Sequence, residues 1–229
     1  MLKILSKECL QCKNPLCIKG CPACNDIKEI INLINQNKLE EAYFLNLKTS
    51  VLPNVCSLLC PHEKQCEGSC VKSFKGKSVE IGKNERLLSE ANEFKIQKID
   101  ESLININICI IGGGISGISC AIDAARHGAN VEIFEKEDVI GGPLFTSIPE
   151  FRYSKDNLCH IENVLKSLNI KVNYQKEFGI NLFLNDLEKF DKIVFATGTQ
   201  LESNPIKEKD DNFIGAVELL KNIKKGVNL

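Results

Sequence analysis

Isoleucine falls at positions 27, 30, 31 and 34, the one-face spacing of an amphipathic helix, and Asn25 stands just ahead as a candidate cap. Leu39, Ala42, Tyr43 and Leu47 predict a second helix that stops before Pro53, and Leu87, Leu88, Ala91 and Phe94 predict a third. From Asn105 the pattern changes. The mostly apolar stretch 106–111 reads as a buried strand, a glycine turn follows, Ala121, Ala124 and Ala125 mark a helix, and 130–134 reads as a second strand leading to Glu135. Strand, helix and strand in that order open a doubly wound parallel sheet. A helix over 156–168, a short strand over 170–174 and an apolar strand over 192–196 extend it. A charged loop over 207–211 and a short helical stretch come last, with no repeats and no low-complexity segment. The expected organisation is therefore a helical domain over 1–97, a polar linker over 98–105 and an α/β domain over 106–229.

Composition narrows the functions open to this pattern. With 229 residues, 43% of them hydrophobic, the chain can bury two modest cores. Its 29 basic and 30 acidic residues leave a net charge of −1, mixed along the sequence, so no field gathers nucleic acid or an anionic membrane. No apolar stretch approaches a membrane span, and Met1-Leu2-Lys3 does not lead into a secretory h-region, so a cytoplasmic location is expected.

Cysteine adds the chemistry. One group reads Cys9-x2-Cys12-x4-Cys17-x3-Cys21-Pro22, the other Cys60-Pro61 with Cys66-x3-Cys70, and Cys24 and Cys56 lie nearby. In a reducing compartment such clustering favours metal over disulfides. Iron–sulfur cubanes take about four thiolates each, and in two-cluster proteins the last cysteine of a run serves the other cluster. On that logic Cys9, Cys12 and Cys17 are completed from the second group, best by Cys70, while Cys21 joins Cys60 and Cys66. The second set then lacks a fourth thiolate unless Cys24 or Cys56 supplies it. Zinc is the alternative metal, although a second Cys-x2-Cys half-site is absent. Clusters of this kind would stitch together a helical domain too small to bury much surface unaided, and the apolar face of the first helix should pack on them. Cys109, Cys120 and Cys159, within predicted strand and helices, are expected to fill cores. His62, His127 and His160 are expected in surface or capping roles.

Gly112-x-Gly114-x-x-Gly117 follows an apolar strand and opens a helix, the context of a dinucleotide-binding turn, with Ser116 inside it. Its glycines let the backbone approach a pyrophosphate at the helix N-terminus. Glu135 ends the second strand, placed to accept hydrogen bonds from ribose hydroxyls, with Lys136 beside it. These residues alone do not separate FAD from NAD. A second glycine turn at Gly141-Gly142, and Thr197-Gly198 at the end of the late strand, add to the site.

Taken together, the two cysteine groups, Cys66-Glu67-Gly68-x-Cys70, Ile81-Gly82-x-x-Glu85-Arg86, the glycine turn, and Gly141-Gly142 with Ile148-Pro149-Glu150-Phe151-Arg152 resemble the small subunit of NADPH-dependent glutamate synthase. The N-terminal part of dihydropyrimidine dehydrogenase and the large subunit of the bifurcating ferredoxin:NADP oxidoreductase are similar too. The resemblance runs from about residue 8 to the end. It implies an α-helical domain with two [4Fe–4S] clusters followed by an α/β Rossmann-like FAD-binding domain. It implies Cys9, Cys12, Cys17 and Cys70 on one cluster, and Cys21, Cys60 and Cys66 with Glu85 on the other. It implies an oxidoreductase subunit that passes electrons from a nicotinamide or other donor, through FAD and the clusters, to a partner active site.

One departure stands out. Past Ala196-Thr197-Gly198 the family continues into a second glycine turn for NADPH and then a strand that finishes the FAD site, whereas this sequence runs to Leu229 without a second GxGxxG. The FAD domain is accordingly expected to be incomplete and NADPH to act only through a missing domain or partner. The expected partner is a larger oxidoreductase subunit or a separate nicotinamide-domain chain. A non-enzymatic cluster- or zinc-binding module, or a fragment of a longer oxidoreductase, is the alternative.

Overall fold

A computed structural model describes residues 6–92, 95–199 and 214–227. The chain divides into two compact units, Met1–Lys95 and Ile96–Leu229.

The first unit is helical: α1 (Leu16–Lys19), α2 (Ile27–Asn35), α3 (Leu39–Asn46), α4 (Pro53–Leu59) and α5 (Ile81–Ala91). Asp26, not the expected Asn25, caps α2, its carboxylate accepting from the Glu29 N–H at 3.2 Å. The helix starts at Ile27, so only the residue directly ahead can reach that third N–H; the Asn25 side chain instead accepts from the Thr49 hydroxyl. All four isoleucines of α2 are buried, but they serve two cores. Ile30 and Ile34 pack with Ala42, Tyr43 and Leu47 and with Leu88 of α5. Ile27 and Ile31 pack with Cys66, Val79 and Ile81, against partly buried Cys9, Cys17, Cys21 and Cys70. Only half of the predicted apolar face therefore meets the cysteines. Each buried isoleucine contributes about 1.5–3 kcal/mol.

Two helices differ from expectation. Pro53, read as a stop, is the first residue of α4, the one helical position where a missing N–H costs nothing. The third helix starts at Ile81, well before Leu87, because the Glu67 carboxylate accepts from the Gly82 N–H at 3.0 Å and satisfies a donor of its first turn. Phe94 lies outside the described residues.

The second unit is a four-stranded parallel sheet, ordered β3-β2-β1-β4, built from β1 (Asn107–Ile111), β2 (Asn130–Phe134), β3 (Lys171–Asn173) and β4 (Lys192–Phe195). Ile111 stands in register with Phe134 on one side and Phe195 on the other. Between the strands run α6 (Ile115–Arg126), α7 (Pro143–Thr146) and α8 (Lys155–Ser167), and α9 (Ala216–Lys225) comes last. The fully buried Ile118 and Ala121 and nearly buried Ile122 form the inner face of α6. Cys109, Ile111 and Phe134 pack with Leu182 and Leu187, so this patch of the sheet is covered by a loop and a 3-10 turn, Leu184–Leu187, rather than by a helix. Those residues lack helical periodicity and went unread. Residues 98–105 are bonded to this unit: the Ile99 N–H donates to the Arg126 carbonyl at 2.8 Å and the Leu103 N–H to that of His127 at 2.9 Å. The predicted 207–211 loop lies outside the described residues. No described helix is long and apolar enough to cross a membrane.

Candidate functional site

The cysteines of the first unit separate into two sets. Cys9, Cys12, Cys17 and Cys70 line one cavity together with Leu10, Leu16, Val71 and Val79. Cys21, Cys66 and Glu85 line a second, with Ile27, Ile30, Ile31 and Ile81 on its apolar side and Asn25, Asn46 and Asn84 on its polar side. The cavities are narrow, and what defines them is their lining. Cys60 does not line the second cavity, but it lies close enough to Glu85 and Cys66 for their charges to act on its thiol.

Local geometry explains how residues so far apart in sequence meet. Gln11 turns the first loop through the left-handed region, at φ 49°, and its amide donates to Cys9 Sγ at 3.5 Å and to the Lys28 carbonyl at 3.3 Å. Gly20 lets the two cysteine runs touch: a Cβ there would lie 2.2 Å from Ser69 Oγ. The bond from Gly82 to Glu67 then ties the second run to α5, which carries Glu85.

Burial and neighbouring charges make Cys9, Cys17 and Cys66 hard to ionise while they stand alone. Burial, then the neighbouring Cys70 and Cys9 charges, pushes Cys17 up to about 11, and burial, then Glu67, Cys21 and Glu85, pushes Cys66 up to about 12. Cys9 is raised chiefly by burial. Cys56 and Cys60 share a hydrogen bond that lowers the first thiol and raises the second. The Glu85 carboxyl is surrounded by protein even though its residue retains some exposure, and burial pushes it up to about 8, with Cys56 adding to the rise and the Asn46 amide opposing it. Groups of this kind ionise when a cation sits among them, which is the chemistry of a thiolate metal site.

Several predicted roles change. Cys159 is exposed rather than in a core, Cys109 is buried as expected, and Cys120 is half-buried. Cys24 is exposed and lines neither cavity. His62 does take a capping position, its Nε2 3.3 Å from the Ser57 carbonyl in the last turn of α4, but it is also more than that: its ring lies over Gly82, where a Cβ would come within 2.2 Å, and Nδ1 is 3.8 Å from Cys66 Sγ. The spacing His62-x3-Cys66 is visible in the sequence, and Gly82 belongs to the Ile81-Gly82-x-x-Glu85-Arg86 motif, but nothing in either pattern shows that the glycine makes room for the ring.

In the second unit the dinucleotide turn is built as its glycines require. Gly112 has φ 108°, and a Cβ there would strike the Ala196 carbonyl at 2.3 Å. Gly117 brings α6 against β1, its hypothetical Cβ 2.0 Å from the Gly112 carbonyl. Gly114 is the N-cap of α6, with no atom nearer than 4.0 Å to a Cβ, so the space in front of it is open. Gly142, at φ 51°, packs against Gly114, and the Gly141 N–H donates to the Gly113 carbonyl at 2.7 Å. Buried Glu135 accepts from the Gly113 N–H at 2.6 Å through one carboxylate oxygen and from the Glu137 N–H at 2.9 Å through the other. Around Glu135 opens a cleft of about 490 Å³ lined by Gly112, Lys136 and Thr197, within the size range of small-molecule sites. It lies at the carboxyl ends of β1, β2 and β4, where the strand order reverses. Lys176, Glu177 and Phe178 also line it and were not anticipated. Gly114, Ser116, Gly117, Gly142 and Gly198 do not line the cleft itself.

A thiol-rich helical unit followed by a parallel-sheet dinucleotide unit defines a class of iron–sulfur and nucleotide-binding protein. Residues 4–96 match the dihydropyrimidine dehydrogenase domain II, 4Fe-4S cluster, and residues 110–159 match the NAD(P)-binding Rossmann-like domain. The chain is 30% identical over 213 residues to the glutamate synthase [NADPH] small chain of Escherichia coli (strain K12), covering 91% of this chain and 45% of that one. It is 27% identical to the corresponding small chain of Bacillus subtilis (strain 168), over 90% of this chain and 44% of that one. To the NAD-dependent dihydropyrimidine dehydrogenase subunit PreT of Escherichia coli (strain K12) it is 26% identical, covering 84% and 47%. The chain is thus similar to the glutamate synthase small chains and to PreT over most of its own length, and it spans less than half the length of these relatives.

Proposed function

We propose that this chain is the flavin and iron–sulfur electron-transfer part of an oxidoreductase similar to the glutamate synthase small chains. The observation that carries the reading is the sorting of the sulfur donors into two sets, one of four thiols and one of three with a buried carboxylate. Cys9, Cys12, Cys17 and Cys70 would hold one [4Fe–4S] cluster, and Cys21, Cys60, Cys66 and Glu85 a second.

The cleft at Glu135 would take the adenosine end of FAD, with ribose hydroxyls donating to the Glu135 carboxylate and the pyrophosphate facing the open Gly114 at the N-terminus of α6. When bound, flavin supplies two-electron exchange and the clusters one-electron transfer. The chain's own part is to hold them: the cysteines present sulfur from a largely apolar wall, Glu135 orients the ribose, and the glycines admit phosphate. The donor would be a reduced nicotinamide acting through a further domain or partner, and the substrate would be transformed on a larger partner subunit.

Gly114→Val tests the flavin assignment, because a Cβ there meets nothing nearer than the Gly142 Cα at 4.0 Å, an ordinary contact. The variant should fold normally and lose FAD, measured as flavin released per chain after acid treatment. FAD retained at the unsubstituted level would contradict the assignment.

A further inference from the structure

Resting on that reading of the second cavity, we propose that Asn46 is a positioning residue that aims the Glu85 carboxylate at iron. Asn46 sits at the end of α3, a helix whose neighbouring inward positions, Ala42, Tyr43 and Leu47, are apolar. A buried amide in such a place costs stability unless it is bonded. Asn46 is 2% exposed, and its Nδ2 donates to Glu85 Oε1 at 3.1 Å across 39 residues of sequence. Its Oδ1 is buried and has no hydrogen-bond partner among the described residues, and the same holds for Oδ1 of Asn84. Both asparagines line the cavity that holds Cys21, Cys66 and Glu85.

The arrangement has a direct consequence for ligation. A glutamate side chain has three rotatable bonds and could turn either oxygen, or both, toward a metal. With Oε1 held by Asn46, Oε2 is left for a single, one-oxygen bond. The hydrogen bond also withdraws charge from the carboxylate, so it makes Glu85 a weaker electron donor than an unbonded carboxylate. Losing it should drive the potential of that one cluster more negative.

The test uses the full chain purified without oxygen. Iron content, the electron paramagnetic resonance spectrum after dithionite reduction, and the midpoint potential of each cluster are measured. Four variants are compared: Asn46→Leu, close in shape but without a donor; Asn46→Asp, which sets a second carboxylate against the first; Glu85→Ala; and Cys12→Ser. Both Asn46 variants should change the signal that Glu85→Ala changes and lower that cluster's potential, leaving the signal that Cys12→Ser removes as it was. Signals and potentials unchanged in both Asn46 variants, while Glu85→Ala alters one, would overturn the role of Asn46 alone. Equal changes in both clusters would assign Asn46 a merely structural role and overturn it too. An unaltered spectrum in Glu85→Ala would overturn the ligand reading and the inference together.

Discussion

The two units solve the same problem, holding a cofactor, in opposite ways. In the sheet unit the site is backbone: a left-handed Gly112, an open Gly114, and a carboxylate pinned by two N–H groups. It rests on strands whose core, Ile108, Ile110 and Ile133, is fully or nearly fully buried. In the helical unit the proposed site is side chains drawn from residues 9 to 85, and one of its two cores is built partly from the cysteines assigned to it. Where donors are core, the cofactor belongs to the stability of the fold; where the site is a turn on a separately packed sheet, it does not.

The largest expected effect follows from that contrast. Stripping iron with a chelator should open the helical unit around residues 9–27 and 60–81. The packing of Ile34, Ala42 and Leu88, which involves no cysteine, and the whole sheet unit should hold. Amide hydrogen exchange with and without iron reads this out, and equal protection in both states would erase the distinction between the units. Next in size is Gly117→Val, which drives a side chain into the Gly112 carbonyl. It should cost about 4 kcal/mol or more, seen in denaturant unfolding as loss of the sheet unit alone.

The smallest effect is electrostatic. Hydrogen bonds from Ser102, then from His127, hold the exposed Asp100 carboxyl down at about 2. A carboxyl lowered on folding adds stability that is present above its ordinary pKa, near 3.8, and fades as pH falls toward 2. Asp100→Asn should therefore change stability slightly at pH 6 and not at all near pH 1.5, measured as the difference in unfolding midpoint. An undiminished difference at the lower pH would remove Asp100 from the account.

How far the sequence was readable divides along the same line. Strands 107–111 and 130–134, the glycine turn and Glu135 were legible because each is a local pattern: an apolar run, a turn, a carboxylate at a strand end. The cysteines were legible as groups, but spacing left the last ligand of the second set open, and Glu85 came forward only through resemblance to a family. Long-range contacts were out of reach. Asn46 on Glu85, Gln11 on Cys9 and His62 near Cys66 are set by how helices and loops pack, and no periodicity records them. Pro53 misled for a different reason: proline ends one helix and begins another with equal ease.

The central claim, that the two sets each hold a four-iron cluster, is most directly tested by iron and acid-labile sulfide per chain in protein purified without oxygen. The account predicts about eight of each. About four of each, or zinc without sulfide, would contradict it.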